Sequence, residues 1–312
     1  MFAIIGILVV FGAVIGGYLM EHGHIMVLLQ PAELVIIAGA AAGTVLVANP
    51  LYILKQIVTG IVGVFTGSKF NQQLYLDSLK MMYDLLNKAR KEGLVALESD
   101  TEEPEKSPIF SHHPKFLANH HARDFVCDTM RMAVSGGVEA FDFDQVMEID
   151  MEVHQHCATQ PIAALSTMAD SLPGLGIVAA VLGVVITMGA LGGPPEEIGH
   201  KVAAALVGTF LGILLCYGLV GPLAANMAKA SEEEHAFYQV LRVTMTAFMK
   251  GIPPILAVEI GRRAVPGHLR PAFQELEKTC RSGGAPPQAT DTPPAETPAA
   301  DAPAAADSAS AG

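Results

Sequence analysis

Four stretches of the chain contain no Asp, Glu, Lys or Arg: Phe2–Met20, Leu34–Leu54, Ser171–Pro195 and Val202–Ala228. Their apolar positions run on rather than alternating, so each reads as a helix and not as a strand. Each is near or above the roughly 20 residues that cross a ~30 Å hydrocarbon core. Only helices and closed barrels satisfy their backbone groups there. The pattern therefore predicts four transmembrane helices. The alternative, buried core helices of a large soluble protein, would require four such runs to be hidden from water in one chain. The first run has no basic segment before it and no small-residue cleavage site followed by a mature soluble domain. It reads as a retained first helix rather than a signal peptide.

Between the second and third runs the pattern changes to a helical period with polar residues between the apolar ones. Leu74, Met81, Met82, Leu85 and Leu86 mark it across Lys69–Leu97, with Gly93 as an interruption. Glu102–Pro114 holds Pro104, Pro108 and Pro114 and reads as a turn-rich linker. Phe116–Met132 and Phe143–Met168 are again helical in pattern, and the strand signal is weak everywhere. The fold class expected is an all-α membrane protein, with four transmembrane helices in two hairpins and a helical cytoplasmic domain inserted between them. The boundaries expected are 1–54 for the first two membrane helices, 55–170 for the cytoplasmic domain and 171–228 for the last two membrane helices. A C-terminal cytoplasmic helical segment follows at 229–282. Residues 283–312 form a Pro/Ala-rich tail with almost no bulky side chains, too poor in apolar surface to fold and expected to be disordered.

Charge orients this arrangement. Only 16% of the 312 residues are charged, against about 25% in ordinary soluble domains. Of 19 Lys and Arg, ten lie between the second and third apolar runs and eight follow the fourth. Lys201 alone falls in the loop between the third and fourth, and Glu21–Glu33 has none. The positive-inside rule then makes the middle segment and both termini cytoplasmic. A net charge of −12 argues against nucleic acid as a partner. Cys127, Cys157 and Cys280 fall on the cytoplasmic side and Cys216 within the fourth helix, so no structural disulfide is expected.

The candidate chemistry begins with an absence. Ion pathways place a protonatable side chain within the bilayer, yet the centres of these helices hold none. Glu33 and Asp170 lie at expected helix ends, and Asp170–Pro173 has the look of an N-cap followed by an early proline. If the protein conducts ions, another chain supplies the titrating carboxylate. The polar groups at depth are the hydroxyls of Thr44, Thr187, Thr209 and Tyr217, each of which either bonds its own helix backbone or lines a pore. Thr209 stands beside Gly208 and Gly212, a four-residue spacing repeated at Gly39 and Gly43. Such spacing lets helices approach closely, within one chain or between subunits. Arg90 and Glu98 fall about 80° apart around a continuous helix, as a solvated face or as a bipolar surface for a partner. His112, His113, His120, His121, His154 and His156 invite a metal reading, but adjacent His pairs point in different directions and no HExxH or CxxC accompanies them. No metal or other cofactor is expected, and no enzyme motif appears in a supporting context.

Four segments carry a resemblance. Gln30–Ala40 (QPAELVIIAGA), Ser171–Gly189 (SLPGLGIVAAVLGVVITMG), Val207–Pro222 (VGTFLGILLCYGLVGP) and Ala257–Arg263 (AVEIGRR) resemble, in order, blocks of the MotA family of flagellar motor stator proteins. The resemblance implies a ring of about five copies in the bacterial inner membrane, around a MotB-type single-helix subunit that supplies the ion-binding Asp. It implies an ion flow, read as protons from the long insert and tail, that drives torque against the rotor's FliG-type switch protein. It also implies roles for single residues. Arg90 and Glu98 match the rotor-contact pair, Pro173 and Pro222 the paired prolines that couple pore to domain, and Thr209 the threonine near the partner's carboxylate. An ExbB/TolQ-type energiser of outer-membrane transport is the nearest alternative, and a His-rich metal transporter the alternative from another class.

Overall fold

Proline and glycine set where helices stop in this chain, though not at every position where they stand. The computed structural model describes residues 2–189 and 192–281. Among these no strand occurs. The helices of nine or more residues are α1 (Phe2–Met20), α2 (Pro31–Ala48), α3 (Leu51–Thr66), α4 (Gln72–Glu92), α5 (His120–Ser135), α6 (Ala140–Met188), α7 (Pro195–Leu215), α8 (Gly221–Met249), α9 (Pro254–Ala264) and α10 (Phe273–Arg281). Four spans are long and apolar enough to cross a membrane: Phe2–Met20, Ile25–Ala48, Ala140–Met188 and Pro195–Met249. The tail 283–312, expected to be disordered, lies outside the described residues.

In the first half the second apolar helix ends earlier than expected, and the helix expected from Lys69 starts later but breaks at Gly93, as the sequence indicated. α2 stops at Ala48, short of Leu54. A residue before proline is pushed into extended backbone, and Asn49, preceding Pro50, sits at φ −131, ψ 143. The chain restarts as α3, which buries Ile53, Ile57 and Val64 in a cluster with Ala164, Leu165, Leu223 and Met227. The helix expected over Lys69–Leu97 is capped at Asn71, whose side chain accepts from the Leu74 amide at 2.8 Å. It ends at Glu92 because Gly93 turns to φ +90, a region open to glycine and costly for other residues. A 3-10 turn, Leu94–Leu97, and a short helix, Glu98–Glu102, follow.

The second half departs further. The helix start expected at Asp170–Pro173 does not exist. α6 runs unbroken through Phe143–Met168 and on into the third apolar stretch, 49 residues with Pro161 and Pro173 inside. Asp170 is therefore in mid-helix, not at an end. Pro173 offers no amide to the Ala169 carbonyl. The helix holds across that gap because Ala169 and Leu172 are packed in a cluster with Ile37, Ala41, Ala179 and Cys216. The fourth apolar helix likewise does not end at Pro222. α7 passes through a π-turn, Cys216–Val220, directly into α8. Pro222 cannot donate to the Gly218 carbonyl, and a widened turn makes room for its ring.

α6 and α7 meet at glycines. A Cβ at Gly176 would lie 2.9 Å from the Gly208 carbonyl oxygen, and one at Gly212 2.6 Å from that of Leu172. Gly208 and Gly212 thus serve contact within the chain, whereas Gly39 and Gly43 meet nothing within 4 Å. The largest core lies at the other end of the long helices. Leu76, Leu79, Met82 and Leu86 of α4 pack with Phe110, Phe116, Phe143, Phe237, Leu241 and Met245. Each such side chain contributes about 1.5–3 kcal/mol on burial. An ion pair clamps the helices there. Arg242 of α8 donates to both carboxylate oxygens of Asp144 on α6, at 2.8 and 3.0 Å, and the Thr246 hydroxyl adds a bond of 2.8 Å. The Arg242 hydrogen bond holds the Asp144 carboxyl below the usual carboxylate range, with Thr246 helping, against the opposing effect of burial.

Candidate functional site

Arg90 lies in the last turn of α4 and Glu98 opens the short helix beyond Gly93; both side chains are exposed. They do not share a continuous helix, so the 80° separation does not describe them. What fixes their relation is the buried segment between and behind them. Leu97 is fully buried. Lys88 pairs with Asp100 at 2.6 Å, and the Ser107 hydroxyl donates to the same carboxylate at 2.6 Å. Arg131 donates to the Thr101 carbonyl from α5. A buried, fully bonded Asp100 two residues from Glu98 holds this corner rigid. Neither Arg90 nor Glu98 forms an ion pair among the described residues, which leaves both charges open to a partner.

The hydroxyls separate into two kinds. Thr44 donates to the Ala41 carbonyl at 2.8 Å and Thr187 to that of Gly183 at 2.8 Å, each within its own helix. Thr209, on α7 between the α6-facing Gly208 and Gly212, makes no hydrogen bond among the described residues and is half-buried. Tyr217 is exposed. Beside Thr209 stands a carboxylate that sequence reading left at a helix end. Glu33, in the first turn of α2, is buried, with its Oε2 unpartnered. A Cβ at Gly208 would lie 2.6 Å from that oxygen. The signal was present in Pro31-Ala32-Glu33: proline at the first helical position starts the helix, and an acidic residue follows inside its first turn.

Pro173 stands beside Leu172 of the cluster that holds Ile37 and Ala41, and Pro222 beside Leu223 of the cluster that holds Ile53 and Ile57, both on the span side of the domain core, whose nearest members on these helices are Met151 and Phe237. Pro173 is half-buried and Pro222 exposed. The structure brings neither together with Arg90 and Glu98; the connection between them is the helices themselves. Among the described residues no three His, Cys, Asp or Glu side chains gather as metal ligands would. The histidines have separate settings. His113 is buried with its Nδ1 unpartnered, and burial pushes its imidazole down from the ordinary value against the pull of Asp77 and Asp84. His154 meets His121 edge-on and Tyr238 at a tilt, at 5.5 and 5.0 Å between ring centres.

Residues 4–93 match the family described as Motility protein A N-terminal, and residues 117–239 match the MotA/TolQ/ExbB proton channel family. Motility protein A of Escherichia coli (strain K12) is 41% identical over 292 residues, covering 94% of this chain and 99% of that protein. Chemotaxis protein LafT of Vibrio parahaemolyticus is 34% identical over 274 residues, covering 88% of this chain and 96% of its own length. Among solved structures, the flagellar MotAB stator complex from Bacillus subtilis matches with a TM-score of 0.68 at 25% identity, over 88% of this chain and 98% of that one. The C. jejuni MotAB structure has the same fold, with a TM-score of 0.71 at 20% identity, over 85% of this chain and 95% of that one.

Proposed function

The chain belongs to the motility protein A family and is a stator subunit of the flagellar motor, and from that premise we propose how its parts share the work. The four apolar spans form two membrane hairpins, with the α4–α5 region as a cytoplasmic domain between them. The span-to-domain boundaries near residues 54, 170 and 228 fall inside continuous helices. Both termini face the cytoplasm, in the inner membrane, as the distribution of Lys and Arg requires. Copies of the chain form a ring of about five around a MotB-type single-helix subunit. That partner brings the ion-binding Asp, and the Thr209 hydroxyl, free of any bond within its own helix, faces it across the pore. Protons are the ion.

The observation that carries this reading is the continuity of α6 and of the α7–α8 rod from apolar span to domain core. One charge crossing 100 mV releases only about 2.3 kcal/mol. So small a step moves a distant charge pair only through a stiff lever with a soft joint. The helices are the lever, and the missing backbone bonds at Pro173 and Pro222 are the joint. Arg90 and Glu98 then press on oppositely charged groups of the rotor. No metal or other cofactor takes part.

The test is proton conduction in inverted membrane vesicles. The chain alone should leave the vesicles tight. The chain with its partner should conduct, and Thr209→Val, which keeps shape and removes the hydroxyl, should reduce the flux. Robust conduction by the lone chain would contradict the shared pore.

A further inference from the structure

Arg90 and Glu98 stand on opposite sides of a turn that has little of its own to hold it. No residue between Ala89 and Leu97 is buried, and Gly93 in the middle sits at φ +90. Glycine has the widest choice of backbone conformations, so the turn alone does not set the direction in which the Glu98 helix leaves. An ion pair closes it. Lys88, two residues before Arg90, meets Asp100, two residues after Glu98, at 2.6 Å. The Lys88 side chain is 26% exposed and that of Asp100 only 2%. Among the described residues this is the only side-chain hydrogen bond between the Glu98 helix and α4. The other Asp100 oxygen accepts from the Ser107 hydroxyl at 2.6 Å. That hydroxyl oxygen in turn accepts from the amides of Ile109 and Phe110, at 3.2 and 3.3 Å, and Phe110 is fully buried in the domain core. Asp100 thus joins α4, the Glu98 helix and the core through one carboxylate.

A buried ion pair is a weak source of stability, because desolvation offsets most of the attraction, and apolar residues of similar size often serve a fold as well or better. What the pair supplies here is geometry, since a charge-assisted bond forms at one separation and in one direction. The buried Leu97 anchors the returning segment at one point; the ion pair adds a second attachment, on the helix that bears Arg90, and removes the rotation that one anchor leaves free. Arg90 and Glu98 make no side-chain bond among the described residues, so their separation is inherited from the groups beside them. A contact that engages two opposite charges at once needs that separation set beforehand, because freedom left open is lost on docking. We propose that Lys88 and Asp100 are positioning residues for the rotor contact: their ion pair across the Gly93 turn sets the spacing at which Arg90 and Glu98 are presented. This rests on the reading of Arg90 and Glu98 as the rotor-contact pair.

The test reads spacing and function separately. Arg90→Cys and Glu98→Cys are combined with Cys157→Ser in the full-length chain, which is purified with its partner and spin-labelled; Cys127, Cys216 and Cys280 are buried. Labelled chain is diluted with unlabelled chain, so that pulsed dipolar spectroscopy reads separations within one copy. The distribution should be narrow in this background and with Lys88→Arg, which keeps a charged donor. It should broaden or shift with Asp100→Asn and with Lys88→Gln. With Arg90 and Glu98 restored, swimming should persist in Lys88→Arg and be mostly lost in the other two, at unchanged membrane level and partner co-purification. Lys88 is partly exposed, so Lys88→Gln carries the test if Asp100→Asn lowers the protein level. A distribution unmoved by Lys88→Gln, or swimming lost only in proportion to membrane level, would overturn the positioning role. The reversal Arg90→Glu with Glu98→Lys runs alongside. Normal swimming there would overturn the rotor-contact reading and the positioning role with it. Lost swimming there with an unmoved distribution would overturn the positioning role alone.

Discussion

Arg90 and Glu98 make no side-chain bond among the described residues, so their reversal separates the proposed rotor contact from the fold. Exposed charges contribute about 0–1 kcal/mol to stability. Arg90→Glu with Glu98→Lys should therefore leave membrane level and flagellar filaments unchanged and remove most swimming; normal swimming would strike both residues from the site. His113 acts in the opposite way, through stability alone. Its folded imidazole is held below the ordinary value, chiefly by burial, while the unfolded chain titrates near about 6.5. A depressed pKa leaves its stabilisation intact above the unfolded value and removes it as pH falls toward the folded one. The melting temperature of the solubilised chain should drop as pH falls below about 6.5, and His113→Leu should flatten that part of the curve. An unchanged pH dependence in the variant would count against it. Sequence reading singled out Thr209 beside Gly208 and Gly212 and placed Glu33 at a helix end, where it is, but it gave neither the free state of the Thr209 hydroxyl nor the burial of the Glu33 side chain. The burial of Glu33 depends on α7 lying opposite at Gly208, which no local pattern encodes.

At the scale of the element, the same residue type misled and informed. Pro50 ends α2, whereas Pro161 and Pro173 sit inside α6 and Pro222 is absorbed by a π-turn. The local signals at Asn49–Pro50 and Asp170–Pro173 look alike; packing of Ala169 and Leu172 against α2 and the π-turn makes the difference. The four apolar stretches and the helical period of α4 were legible because length and spacing are properties of the segment itself. The fusion of span and domain into single helices was not, because apolar and amphipathic patterns change there as they would at a break. If the weakened turns are the joint, Pro173→Ala and Pro222→Leu should restore an amide donor, stiffen the helix and stop rotation with the protein still inserted and partner-bound. Alanine and leucine are both good helix formers, so folding should not suffer. Full swimming at normal protein level would return these prolines to a merely structural role.

The whole molecule is a set of apolar spans continued by helices into the domain core, with exposed charges at a corner of that core and, among the described residues, an unpaired hydroxyl within the spans. α6 and the α7–α8 rod run unbroken from apolar span to domain core. The most direct measurement is swimming and filament assembly, scored separately, in a strain from which this chain has been deleted and then restored. The deletion should leave filaments in place and motionless, and expression of the chain should return swimming. A deletion strain that still swims, or filaments that fail to assemble without the chain, would contradict a stator role.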